Sequence, residues 1–378
     1  MKNPSELSKN KKQRPKISAW ALNLLLVFCS LLLPLLVAEA SLRLTHHKTI
    51  SFDDRSFRQS AWAFKPNTSA ESYVGVPVRI NNLGMRGADT TAAKPPGVFR
   101  ILGVGDSITF GYGVEYDKTF LQVLERRLNS ENGGKVRYEV LNTGIPATGL
   151  DYYTHVIEAS QDKLQPDLIL VCMALNDIDP DLGPEPREPS SPKSAFRSLN
   201  QFFLTHSYLY NALFVPVKSL LYQLNILKLK DNEGFGFLAI EPDSEAQQKA
   251  RRMMTLYLTR LARFAKAHNT PLAVVVFPVE VQLSPGARRT YAEKLHLDFG
   301  PEVEEGQPQE WVQQEGRQNG FPVLDLLPAL RGVSPGQAFL RNHSISVDPV
   351  HPSEEGDRAA GEAIAGFLRE NKLLANDR

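Results

Sequence analysis

Cysteine is nearly absent: Cys29 lies in an apolar segment and Cys172 in a β-prone run, two residues in 378. That scarcity excludes a disulfide framework and a cysteine metal site. Excess charge of either sign is missing as well, since 43 Lys and Arg stand against 42 Asp and Glu for a net charge of +1. No basic block occurs beyond the N-terminus, so nucleic acid is excluded as a main partner. The eight histidines include no pair at helical ligand spacing, and no metal or other cofactor is expected. No internal repeat is present. Length and an ordinary hydrophobic content allow one large domain with appendages, whose core needs no covalent staple.

What the chain does have is one long hydrophobic run. Residues 1–16 form a basic tail with Lys2, Lys9, Lys11, Lys12, Arg14 and Lys16, and residues 17–40 are apolar apart from Ser18, Asn23, Ser30, Pro34 and Glu39. The run exceeds the roughly 20 residues that cross a bilayer. Positive charge before it orients the N-terminus toward the cytoplasm. The expectation is a single-pass signal anchor in a bacterial inner membrane, with the following domain in the periplasm. Ala38-Glu39-Ala40 also fits a small-x-small cleavage site, so a removed signal peptide is the alternative.

The most informative stretch is Arg100-Ile-Leu-Gly-Val-Gly-Asp-Ser-Ile-Thr-Phe-Gly-Tyr-Gly113. A β-prone run empties into Gly105-Asp106-Ser107, and Ser107 falls where a helix can start. A serine there lies among outward-pointing N–H groups, which suit a developing oxyanion. Taken alone, the tripeptide is equally a tight turn with a capping serine.

A second block, Ser346-Val-Asp-Pro-Val-His-Pro-Ser353, places Asp348 three residues before His351 on a proline-restricted loop. A serine hydroxyl needs an imidazole to take its proton and a carboxylate to orient that imidazole, and these two residues supply both. Ser353, Glu354 and Glu355 read as the cap and acidic first turn of a helix. A third block runs from Gln165 through an apolar stretch to Asn176-Asp177, again polar side chains at a strand end. A fourth, Tyr138 to Gly149, is a short strand leading into a loop with available backbone N–H groups.

Taken in chain order, these four blocks resemble the SGNH hydrolase superfamily, also called the GDSL esterase/lipase family. The resemblance spans about 99–374. It implies Ser107 as nucleophile, His351 as general base and Asp348 as its orienting partner. The oxyanion donors it implies are the Ser107 N–H, the N–H at Ala147 in the block Tyr138 to Gly149, and the Asn176 side chain. Two positions depart from the family pattern: Ala147 stands where glycine is usual, and Ala174 where the third block often has glycine. Alanine keeps the N–H but resists positive φ and projects a methyl toward the acyl pocket.

Strands near 100, 138, 168, 272 and 323, separated by helical patterns, imply a three-layer flavodoxin-like α/β fold: a parallel sheet flanked by helices, preceded by the N-terminal transmembrane helix. Residues 41–98 form a linker and lead-in expected to pack on the catalytic domain of 99–378, which carries a helical insertion at about 180–240. Arg86, in the lead-in, reads as a structural ion pair, with substrate contact as the alternative. The apolar, aromatic stretch 196–229 reads as a lid or simple packing, with helices touching the membrane as the alternative.

The expected activity is serine-dependent hydrolysis of a small acyl ester, acetyl among them, on an exported domain. The expected partners are a small ester or acylated glycan and the inner membrane. Two alternatives remain: an O-acyltransferase acting on an envelope polysaccharide, and a glycan-binding or assembly factor with little turnover.

Overall fold

A computed structural model describes residues 19–45, 49–50, 58–72, 76–178, 199, 202–203, 206–223, 244–289, 306–334, 336–340, 348 and 350–375. The basic tail, the proline-rich stretch 180–192 and much of 196–229 lie outside these residues.

Five parallel strands form the central sheet: β1 (Val98–Gly105), β2 (Arg137–Asn142), β3 (Leu168–Ala174), β4 (Leu272–Phe277) and β5 (Val323–Asp325). Their order across the sheet is β5-β4-β3-β1-β2. This is the flavodoxin-like order expected from the sequence, with the reversal of winding between β1 and β3. Every residue of β3 and β4 is buried, as strands covered on both faces must be.

The crossovers are helical. After α1 (Ala19–Leu44) come α2 (Ser107–Phe110), α3 (Phe120–Glu131) and α4 (Leu150–Leu164). The chain continues through α5 (Tyr208–Gln223), α6 (Glu245–Ala267), α7 (Gln307–Asn319), α8 (Leu327–Arg331) and α9 (Glu354–Glu370). α3 packs with α9, and α4 and α7 pack with α6, giving a helical layer on each face of the sheet. Phe120, Leu121, Leu124 and Leu128 are the buried stripe of α3, at the helical spacing that the sequence displays. α3 does not continue back to Glu115, because Thr119 is extended between a 3-10 turn at Tyr116–Lys118 and α3.

Local chemistry sets the helix starts. Ser244 accepts a hydrogen bond from Gln247 N, and Ser353 accepts one from Gly356 N, so each caps its helix. α7 begins where Gly306 turns at φ 84, and Pro308 occupies its first turn.

The lead-in packs beside the carboxyl edge of the sheet. Pro77–Arg79 pairs antiparallel with Ser69–Ser72, and Asn81 Oδ1 accepts from Leu83 N (2.9 Å) and Met85 N (3.0 Å) to hold the turn. Phe64, Val78 and Ile80 then form a small apolar cluster with Phe110 and Ile145, directly under the turns that follow β1 and β2. At the other end of the chain's apolar inventory, Leu26–Leu44 of α1 is long and apolar enough to cross a membrane, and none of that span is buried.

Candidate active site

The site begins with the way β1 ends. Asp106 caps α2 by accepting from Ile108 N at 2.9 Å, which fixes Ser107 as the first helical residue. Gly144 allows the loop after β2 to press against this helix, since a Cβ there would overlap Phe110 N and the Thr109 carbonyl carbon. Asn142 secures that contact: its Nδ2 donates to Thr109 O at 2.8 Å while its Oδ1 accepts from Gly144 N at 3.0 Å. Asn142 lies within the block Tyr138 to Gly149, and the structure gives it a bridging position.

Ser107, His351 and Asp348, far apart in the chain, meet above the sheet. The Ser107 Oγ to His351 Nε2 distance is 2.8 Å, and His351 Nδ1 lies 2.8 Å from Asp348 Oδ2. Asp348 Oδ1 accepts from the backbone N–H groups of Val350 (3.0 Å) and His351 (2.9 Å). Burial alone would raise the Asp348 pKa, but the His351 charge and the hydrogen bonds from His351 and Val350 outweigh it and lower it. With that carboxylate ionised, Nδ1 carries the proton and Nε2 accepts from the serine hydroxyl. The histidine loop is braced from below, where Leu340 N donates to His351 O and Ser353 N to Ala338 O, each at 3.0 Å.

The three predicted oxyanion donors lie on three different turns. Neither the Ser107 nor the Ala147 N–H takes part in a hydrogen bond among the described residues. Ala147 adopts φ 57, the left-handed conformation its glycine counterpart would take without steric cost, and is exposed. Asn176, half-buried in the 3-10 turn after β3, is hydrogen bonded through its side chain to Asp106. A carboxamide has two N–H bonds, so one remains for an oxyanion after Asp106 takes the other.

Two buried acids sit beneath this surface. Asp106 is raised by burial, against the pull of Ile108 N, the His351 charge and the Asn176 and Ser107 side chains. Asp177 is raised well above the carboxylate range, first by burial and then by the nearby Asp106 charge. Its Oδ2 accepts from Tyr153 Oη and Ala174 N, both at 2.8 Å.

Two residues complete the site that sequence patterns did not assign to it. The Tyr112 ring lies 4.6 Å from the His351 ring, centroid to centroid. Arg86 is buried and donates to the carbonyls of Phe110, Gly111 and Val114, clamping the loop that carries Tyr112. It forms no ion pair among the described residues, so the expected salt bridge is replaced by a carbonyl clamp. Burial pulls its pKa down to about 10, opposed by the Asp357 charge. The short spacing Arg86-Gly87 and the glycine-rich run after Ser107 were visible in the sequence, but not that they touch.

Residues 104–359 match the GDSL-like lipase/acylhydrolase family. The fold is similar to solved structures of low identity. One is a lipase/acylhydrolase from Enterococcus faecalis, at 15% identity over 72% of this chain and 96% of that one, TM-score 0.38. A catalytic mutant of Axe2, an acetylxylan esterase from Geobacillus stearothermophilus, gives 15% identity over 72% and 93%, TM-score 0.40. The psychrotrophic esterase EstA from Pseudoalteromonas sp. gives 12% over 72% and 97%, TM-score 0.37. No curated protein matches the chain. Because the family match runs from the strand before Ser107 into the helix after His351 and covers more than half of the chain, the chain belongs to the GDSL-like lipase/acylhydrolase family and is an ester-bond hydrolase.

Proposed function

We propose that Ser107, His351 and Asp348 are the catalytic residues of a serine esterase that removes a small acyl group, acetyl among them, from a glycan or other small ester. The observation that carries this reading is the continuous chain of two 2.8 Å contacts from Ser107 Oγ through His351 to Asp348. Ser107 Oγ attacks the carbonyl carbon as its proton passes to His351 Nε2, and Asp348 stabilises the imidazolium. The resulting oxyanion lies against the N–H groups of Ser107 and Ala147 and the free amide hydrogen of Asn176. Collapse expels the alcohol with the proton from His351 and leaves an acyl-serine. Water then attacks, His351 takes its proton, and the acid departs as Ser107 recovers its hydrogen.

Two features support a small acyl group. Ala147 adds a methyl where the family pattern has none, and the Tyr112 ring stands against His351. On this reading residues 99–378 are the catalytic domain, 41–98 its lead-in, and α1 a retained anchor in a bacterial inner membrane that leaves the domain in the periplasm. The apolar span and the basic residues before it support the anchor and its orientation.

Ser107→Ala tests the assignment in the full-length protein. The expected outcome is loss of p-nitrophenyl acetate hydrolysis by about a thousandfold or more, with an unchanged circular dichroism spectrum. Turnover equal to the wild type would remove Ser107 from the chemistry. The parent enzyme's activity should also fall as pH drops and the general base takes up a proton, and activity that stays flat through acid pH would count against a histidine base.

A further inference from the structure

α5 is wired to the outer end of α1. Glu39, the lone acid in α1, accepts from Ser207 Oγ at 2.9 Å, Tyr208 N at 3.1 Å and Leu209 N at 2.8 Å, and so occupies the N-terminus of α5. Arg43 bonds Glu39 Oε1 at 2.7 Å, donates to His206 O at 2.7 Å and lies 5.3 Å from the centre of the Tyr208 ring. A carboxylate inside an otherwise apolar helix therefore has a specific function: it satisfies backbone N–H groups of a segment some 170 residues away. Among the described elements, α1 is the principal packing partner of α5.

Among the described side chains of α5, three apolar ones are bare. Leu213, Val217 and Leu220 follow one another at helical spacing and are 48%, 47% and 51% exposed. Phe202 and Phe203, just ahead of α5, are exposed as well. In a helix packed on a protein core such a stripe would face inward. The apolar span of α1, to which α5 is tied, is equally bare: Leu33, Leu35 and Leu36 are more than half exposed. Two apolar surfaces joined by a charged cap at their common end call for one and the same solvent.

We propose that α5 and the Phe202–Phe203 pair dock on the acyl-chain boundary of the bilayer that holds α1. The proposal rests on the reading of α1 as a retained anchor. The Glu39 and Arg43 cluster then lies at the headgroup level, where charged and aromatic side chains are tolerated together. Leu213, Val217 and Leu220 enter the outer leaflet in the manner of an interfacial amphipathic helix. The consequence is orientation: a domain tethered at one point by α1 tumbles, whereas one held by α1 and α5 presents a fixed face to the membrane. α5 with Phe202 and Phe203 is then a membrane-contacting element rather than a lid.

The test uses full-length protein reconstituted in phosphatidylethanolamine and phosphatidylglycerol vesicles, with single thiols carrying an environment-sensitive fluorophore. Cys172 is buried and its thiol is pushed up by burial, so it stays unlabelled. Native Cys29 in α1 reports on the anchor. In a Cys29→Ser background, Val217→Cys and Leu220→Cys report on α5, and Glu362→Cys on exposed α9 is the control. The expected result is blue-shifted emission at 29, 217 and 220, lost to lipid-borne nitroxide quenchers, with the label at 362 quenched only by iodide in the buffer. Iodide quenching at 217 and 220 with lipid quenching at 29 would overturn the docking of α5 and leave the anchor standing. Iodide quenching at all four positions would overturn the anchor and the docking together. A label at 217 that answers to phosphonylation of Ser107 and not to lipid quenchers would restore the lid reading and also defeat the proposal.

Discussion

Two buried arginines hold the two ends of the sheet, and they are satisfied to different degrees. Arg100, at the amino end of β1, donates from Nε to Glu139 at 2.8 Å and from its terminal nitrogens to the carbonyls of Ala92, Leu164 and Thr91. Beside it Lys94 pairs with Asp167, whose other oxygen accepts from Arg100 N. Arg86, at the carboxyl end, has only carbonyls as hydrogen-bond partners among the described residues, and its Nε has none there. The same end holds Asp106 and Asp177 with raised pKa values, an unpartnered Asn176 Oδ1 and Ala147 at positive φ. The amino end is built for cohesion. The carboxyl end keeps polar groups incompletely paired, which is where a site that must bind developing charge is expected to depart from a fully satisfied structure.

Asp348→Asn breaks the carboxyl end without disturbing its shape. The amide cannot stabilise the imidazolium and favours the wrong tautomer, so kcat/KM for p-nitrophenyl acetate should fall by about ten-thousandfold, on the order of 5 kcal/mol in the transition state. A loss below about tenfold would show that Asp348 does not orient His351. The same variant alters acid stability in a defined sense. A lowered folded pKa contributes stability that is complete above the ordinary carboxylate range and disappears as pH falls through the folded value. The Asn variant lacks that term, so its urea midpoint should depend less on pH on the acid side.

Arg100→Met breaks the amino end instead. It leaves Glu139 and three carbonyls without their donor, and a buried pair broken on one side costs about 3–5 kcal/mol. The urea midpoint should drop accordingly, while the folded fraction keeps its kcat/KM. Arg86→Met is the matched comparison: no carboxylate is stranded within ion-pair distance, so the stability loss should be smaller, yet release of the loop bearing Tyr112 should lower kcat/KM by about 10- to 100-fold. Equal effects of the two variants on both quantities would erase the distinction between the ends.

Sequence patterns reached the carboxyl end further than expected for so long a chain, because each piece of it is local. Strand-then-turn signals around Gly105, Asn142 and Asn176 mark where the sheet ends, and Ser353 announces the helix after His351. The parallel sheet followed from helices alternating with strands. What remained hidden depends on contacts between distant segments. Nothing in the Arg86 neighbourhood says that its partners are carbonyls 24 to 28 residues on. Glu39 read as a flaw in an apolar span because its partners lie beyond residue 206. Hydrophobic periodicity in 196–229 gave the helix but not the surface it faces, since a stripe for a core and a stripe for lipid have the same spacing.

Ala147→Gly makes the finest cut, because it tests whether the carboxyl end gains anything from its alanine. At φ 57 an L side chain costs about 1–2 kcal/mol, and glycine removes that cost. Glycine also adds about 0.5–1 kcal/mol of chain entropy to the unfolded state, so the two effects largely cancel. Stability should therefore stay within about 1 kcal/mol of wild type, on the stabilising side. The change should appear in substrate choice: without the methyl, hydrolysis of p-nitrophenyl butyrate should rise relative to the acetate. A glycine variant with the wild-type acyl preference would mean that the methyl does not border the acyl group, and the left-handed alanine would then be a tolerated substitution rather than a selector.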